Sequence, residues 1–433
     1  MTLRVSEDHT RLLRDGAPFF WLADTCWSAF TNISEEEWAE YLDVRAAQGF
    51  NVLQINALPQ WDRCGTLLDR HPFPLKEGGR YDFSVTQPEY FRYAQKMCRA
   101  AVDRGFTLAL VVMWCNYVPD TWASGIFGGN VIPEERVEPV VRAICESFNR
   151  FDPVYIVSGD TGFDSEGSIR RYRLVADLVD RHAPDSLKAY HIKGRYDGLP
   201  QEFGERADLY FYQSGHNAAA QAMCHTLANH FAARTPRRPV INSEPCYEQM
   251  GYSHKAYGRF RRAETRSALW NSLLAGADAG ITYGAHGVWN WWKPGMPKNP
   301  IGGEGFLQAM PHERALRLPG AADYQFAKEF FLKRGMPALR PCQEILTQYG
   351  DLIRAARTVD EVFLYVPTSA PLTLKGDWSG CAASALDLAE GRSLPLAMEA
   401  EDGVTRLEMA PVLEDALVIL KKQMEGMENH GIV

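Results

Sequence analysis

The sequence predicts an α/β fold, a (β/α)8 TIM barrel followed by a small antiparallel β-sandwich. Three observations predict it. Apolar runs of strand length alternate with helical stripes about eight times before residue 336. Each apolar run ends near a polar or aromatic residue, as the strands of a parallel barrel do at their C-terminal ends. After Pro341 the helical period stops and short alternating segments take over. The competing arrangement, a doubly wound open sheet, usually carries a Gly-rich phosphate loop after its first strand. This chain has Asp24-Thr25-Cys26-Trp27 there.

Residues 3–20 read as a hairpin, with Asp15-Gly16 as the turn. The run 19–23 is the first buried strand. Ser34 and Glu37 form a capping-box pattern that opens a helix, and Trp38, Tyr41, Leu42 and Ala46 share its inner face. A strand follows over 50–55, then a long loop through Trp61 and Asp62. Pro88 suits the first turn of the next helix, because its missing N–H is unpaired there anyway. The third strand covers 107–113. A stripe of Val137, Val140, Val141, Ile144 and Phe148 marks a helix whose regular part is expected from Pro139. Strands are then expected over 154–157, 187–192, 209–212, 240–242 and 280–283. Helices fall between them, one of them over 261–277. The barrel domain is expected over 1–336 and the sandwich over 341–424. Sandwich strands are read at 352–356, 362–366, 372–374, 394–398, 405–409 and 417–420. Pro395 makes the fourth of these an edge strand, and Asp402-Gly403 is a hairpin turn.

Composition narrows the function. The formal net charge of -8 disfavours a nucleic-acid partner, which needs a concentrated basic surface. The basic cluster Arg259, Arg261, Arg262 and Arg266 reads as a solvated helix face. No apolar run is long enough for a signal peptide or a spanning helix. Nine scattered Cys with no C-x-x-C pair fit reduced thiols. The expectation is therefore a cytoplasmic protein with no membrane partner, no metal and no cofactor. The oligomeric state stays open, a homodimer included.

The strand ends collect one set of candidates. Two apolar runs end in a carboxylate, Val154 to Asp160 and Val240 to Glu244. Glycoside cleavage needs such a pair, one group to protonate the leaving oxygen and one to attack the anomeric carbon or activate water. Asp160 and Glu244 are the candidate catalytic pair. Asp24, Trp27, Asn56, Trp114, His191, Gln213, Ser214, His216, Tyr283, His286 and Trp289 are the candidate substrate-binding residues. Aromatic rings give sugars an apolar face, and the polar side chains fix hydroxyls. Glu248, Asp62 and Arg195 read equally well as solvated loop residues.

In order along the chain stand Asp24-Thr25-Cys26-Trp27, Val157-Ser158-Gly159-Asp160, Gln213-Ser214-Gly215-His216, Asn242-Ser243-Glu244-Pro245 with Tyr247-Glu248, and Tyr283-Gly284 with Gly287-Val288-Trp289. Together they resemble the apiosidase-like glycoside hydrolases over roughly residues 3–335. The resemblance implies a (β/α)8 barrel with Asp160 as acid/base and Glu244 as nucleophile of a retaining reaction, and a carbohydrate substrate such as a plant-type oligosaccharide or glycoside. The tail resembles the small β-domain that often follows this barrel. Two other functions are compatible with the same residues. One is a metal-dependent sugar isomerase or epimerase using His191, His216, Asp160 and Glu244. The other is a non-catalytic carbohydrate-binding barrel.

Overall fold

A computed structural model describes residues 2–60, 67–126, 128–253, 256–296 and 306–423. The loop through Trp61 and Asp62 lies outside them. The chain divides into two compact units, Met1–Leu273 with Ala277–Met336, and Leu274–Gly276 with Pro337–Val433.

The first unit opens with a three-stranded antiparallel sheet, Leu3–Val5, Leu12–Arg14 and Ala17–Phe19. Asp15 and Gly16 form its second turn, both at positive φ (51° and 84°). Eight parallel strands follow: β1 (Trp21–Thr25), β2 (Val52–Asn56), β3 (Thr107–Trp114), β4 (Val154–Gly159), β5 (Lys188–Ala189), β6 (Tyr210–Tyr212), β7 (Val240–Asn242) and β8 (Gly280–Tyr283). They pair in sequence order, and β8 returns to β1. A parallel bridge between Ala189 and Leu209 joins β5 to the start of β6, which closes the ring. Almost every strand residue is buried, as expected for strands covered on both faces.

Side chains alternate between the barrel interior and the helix layer. Inside, Trp21 of β1 meets Phe211 of β6 edge-on at 5.4 Å. Gln54 of β2 accepts the Thr282 hydroxyl at 2.8 Å and donates to the Ser243 carbonyl at 3.0 Å. These polar atoms satisfy one another, which is the condition for burying them. Outside, Asp24 faces the helix Glu35–Ala47, and Tyr283 packs on Tyr324 of the helix Gly320–Lys333.

The Ser34–Glu37 capping box forms in both directions. Three expectations change. The helix read from Pro139 begins at Glu134, because one missing N–H is tolerated when Glu134 and Glu135 favour the first turn. The ladder of β5 is two residues long, because the His191 N–H bonds the Ser158 carbonyl instead. The basic cluster is a solvated face only in part: Arg261 is exposed, but two of its members turn inward. Arg262 forms a two-pronged pair with Asp323 at 2.7 and 2.8 Å, and Arg266, 1% exposed, lies 3.5 Å from the same carboxylate. No helix among the described residues is long and apolar enough to cross a membrane.

The second unit is a β-sandwich. Its six-stranded sheet runs in the order Arg340–Pro341, Arg354–Arg357, Glu361–Val366, Ala416–Lys422, Cys381–Asp387 and Ser393–Pro395. Its three-stranded sheet is Leu372–Lys375, Val404–Leu407 and Met398–Glu401. All pairs are antiparallel. Val362, Leu364 and Val366 point into a common core with Leu374, Leu407 and Val418. Asp402 (φ 52°) and Gly403 (φ 76°) make the two-residue hairpin, and Pro395 sits on an edge strand. The strand Cys381–Asp387 was not read from the sequence: its Ala and Ser residues carry little β propensity.

Candidate active site

A cavity of about 350 Å³ lies at the C-terminal ends of the barrel strands, and both Asp160 and Glu244 line it. Glu244 stands two residues past β7 and is 7% exposed. Two imidazoles hold its two oxygens. His216 Nε2 lies 2.8 Å from Oε1, and His191 Nε2 lies 3.1 Å from Oε2. The second approach is close but poorly aligned with the ring N–H. Burial alone would raise the Glu244 pKa, but the two histidines outweigh it and hold the carboxyl down at about 2. The group is therefore a carboxylate at any physiological pH.

Asp160 follows β4 with a left-handed backbone (φ 49°), which a non-glycine residue rarely adopts. Its backbone is held on both sides. The N–H donates to His191 Nδ1 at 3.1 Å, and the carbonyl accepts the Trp122 indole N–H at 2.8 Å. The preceding Gly159 is required by contact: a Cβ there would stand 2.3 Å from the Trp114 ring. Lys193 and Arg195 line the cavity close by in sequence to β5, and Lys193 pairs with Asp164 at 2.7 Å.

Trp27, Trp114 and Trp289 supply the aromatic wall. Trp27 and Trp114 meet at 5.5 Å, and the Trp27 indole N–H donates to the Tyr247 hydroxyl at 3.0 Å. Burial, and next the charge of Glu244, hold the Tyr247 phenol far above its ordinary pKa, so it stays a donor. Gly284 admits the Tyr247 ring, since a Cβ would stand 2.1 Å from it. Four buried polar atoms of the lining residues have no partner among the described residues: Trp114 Nε1, Trp289 Nε1, Gln213 Oε1 and His216 Nδ1. Buried polar groups left open in this way suit a ligand rich in hydroxyls.

The model of the apiosidase-like catalytic domain matches residues 6–337. The chain belongs to the apiosidase-like family. Membership makes the protein a glycosidase and its substrate a carbohydrate. Solved structures share the fold. One described as a glycoside hydrolase is 19% identical, with 98% of each chain covered and a TM-score of 0.80. A family 5 glycoside hydrolase from Bacteroides vulgatus is 19% identical over 97% of this chain and 93% of that one, with a TM-score of 0.78. A second protein from that organism, described as a putative glycoside hydrolase, is 15% identical over 98% and 82%, with a TM-score of 0.67. Among curated proteins none matches.

The apiosidase-like barrel brings seven of the sequence candidates to its cavity: Asp160, Glu244, Trp27, Trp114, Gln213, His216 and Trp289. The others stand behind the wall. Asp24 is corrected from a substrate contact to a buried ion pair: its Oδ2 takes the Arg45 Nε–H at 2.7 Å and the Tyr41 hydroxyl at 2.9 Å. Tyr283 is likewise turned outward and donates to Glu248 at 2.6 Å, so Glu248 is buried rather than solvated. The Ser214 hydroxyl accepts from Asn242 at 2.9 Å. Asn56 lies 3.4 Å from Gln60, which does line the cavity. His286 stacks on Trp289 at 6.4 Å. His191 contacts Glu244 from below. Tyr247, Trp122 and Gln60 reach the cavity and were missing from the candidates. Tyr247 could have been found, three residues beyond Glu244 in the same motif.

Proposed function

We propose that the protein hydrolyses a plant-type glycoside or oligosaccharide, an apioside first among them, by a retaining double displacement. Glu244 attacks the anomeric carbon and forms a glycosyl-enzyme while Asp160 protonates the departing oxygen. Asp160 then takes a proton from water as that water attacks the anomeric carbon and releases Glu244. The supporting observation is the state of Glu244: a carboxylate held ionised by two histidines, opening onto the same cavity as Asp160. Apiosidase-like membership supports the choice of sugar. The aromatic wall gives the ring an apolar face, and the open indole N–H groups suit its hydroxyls.

A panel of aryl glycosides that includes apiosides tests the substrate, and proton NMR of the first product formed tests the mechanism. The expected product keeps the anomeric configuration of the substrate. An inverted first product would rule out the double displacement.

A further inference from the structure

We propose that His191 is a two-armed positioning residue that ties the backbone of Asp160 to the carboxylate of Glu244 and so sets the reacting groups against each other. It rests on the reading of those two residues as the reacting pair.

The ring makes one contact on each nitrogen. Nδ1 accepts the Asp160 N–H at 3.1 Å, so it carries no proton. The proton of the neutral ring therefore sits on Nε2, which faces Glu244 Oε2 at 3.1 Å. A carboxylate can only accept, so this tautomer is the one that suits it. The arm to Glu244 is off-line, and catalytic hydrogen bonds of this kind often tighten only when substrate binds.

The ring has little freedom to do otherwise. It is fully buried, edge-on to Trp27 at 5.7 Å and tilted against Trp114 at 5.6 Å. Its own backbone is clamped to β4: the His191 N–H donates to the Ser158 carbonyl at 3.3 Å, and the His191 carbonyl accepts the Ser158 hydroxyl at 3.0 Å. The left-handed turn at Asp160 aims its N–H into the ring. A residue at the end of β5 thus bridges the ends of β4 and β7, which are not neighbours in the sheet. The titratable groups facing Glu244 are His191, His216 and Tyr247, with Asp160, Lys193 and Arg195 elsewhere on the cavity wall.

Two substitutions cut one arm each. His191→Asn keeps an acceptor near the Nδ1 position and drops the arm to Glu244. It should move the acid limb of kcat/KM to higher pH by on the order of one unit, the effect of one hydrogen bond to a charged group. His191→Gln keeps an N–H near the Nε2 position and drops the arm to Asp160. Its acid limb should stay in place, while glycosides with poor leaving groups, which need the proton, should lose about tenfold more kcat than activated dinitrophenyl glycosides. If both variants fold, as read by thermal unfolding, and lose activity alike for every leaving group with no shift of the limb, the bridge is refuted. The wild-type enzyme gives a test that needs no variant. Nitrogen-15 NMR should find the His191 proton on Nε2, and a proton on Nδ1 instead would overturn the proposal. Azide rescue of Glu244→Gly separates the two readings, because its failure would strike the assignment of the nucleophile and leave the ring geometry standing.

Discussion

Asp24 and Glu244 are both buried carboxylates at the C-terminal ends of barrel strands, yet their surroundings give them opposite tasks. Asp24 turns outward and meets an arginine, Arg45, which also lies over the rings of Phe50 and Tyr283 at 4.9 and 5.4 Å. Burial pushes the Asp24 pKa up against the pull of Arg45. Glu244 turns toward the cavity and meets two histidines, which overcome its burial and pull its pKa down. The Arg45 Nε–H and the Tyr41 hydroxyl both meet Asp24 Oδ2, in a setting fully closed to solvent. The two imidazoles each stand against one oxygen of Glu244, which still lines the cavity. The difference teaches that the partner, and not burial, separates a carboxylate that holds a barrel together from one kept ionised at a cavity, as the proposed nucleophile must be.

The widest separation should come from removing each carboxylate. Glu244→Ala should cut turnover at least about 10⁴-fold while unfolding near the wild-type temperature. Asp24→Ala should do the reverse. It strands a buried Arg45 and should cost about 3–5 kcal/mol of stability, with kcat of the folded fraction little changed. Steady-state rates and denaturant unfolding on the same samples check both. A collapse of kcat in a folded Asp24→Ala would erase the contrast.

A second contrast sets two glycines apart. Gly159→Ala must displace Trp114, and Trp114 packs on His191. If Asp160 is the acid/base as proposed, a shift of about 1 Å can cost about 10²-fold in rate. Gly105 sits at φ 86° with open space around a would-be Cβ, so Gly105→Ala should lower stability through backbone strain alone. Equal kcat values for the two variants would show that the Trp114 contact does not position the site.

The pH dependence sharpens the picture of Glu244. Its folded-state pKa of about 2 lies below the free value of 4.5. The stability it contributes is therefore complete above pH 4.5 and drains away as the pH falls toward 2. The same sign applies to activity: the acid limb of kcat/KM should lie below 4.5 for as long as the protein stays folded. A limb well above that value would mean that the histidines do not hold the proposed nucleophile ionised.

How much of this could be read beforehand follows from geometry. Strand ends were legible because apolar runs stop at Asp160, Gln213 and Glu244. The face of the strand was not, because one residue of slip moves a side chain from the bowl to the helix layer. That slip separates Thr282, inside the barrel, from Tyr283, outside it, and Gln213 on the cavity from Ser214 behind it. The left-handed turn at Asp160 has only a faint signature, because aspartate adopts that conformation more readily than most residues but does so at few of its positions. The pairing of His191 with Glu244 was also hidden, since it joins strands that are not adjacent. The sandwich strand Cys381–Asp387 escaped because its small residues gain their strand from neighbours on both sides.

The finest contrast lies between two tyrosines, each beside a glutamate. Tyr283→Phe removes a 2.6 Å hydrogen bond to Glu248, which keeps the Gly320 N–H at 2.9 Å. It should cost about 1.5–3 kcal/mol of stability and nothing in rate, because Glu248 is not among the residues that line the cavity. Tyr247→Phe takes the acceptor from the Trp27 indole N–H and a hydroxyl from beside Glu244. The rings of Tyr247 and His216 meet at 4.5 Å, and that packing survives the change. The hydroxyl alone should be worth about 1 kcal/mol in the transition state, or about fivefold in kcat/KM. If Tyr247→Phe instead shifts the unfolding midpoint and spares the rate, its hydroxyl belongs with Tyr283 in the framework, and the reacting end of the barrel is narrower than the cavity that surrounds it.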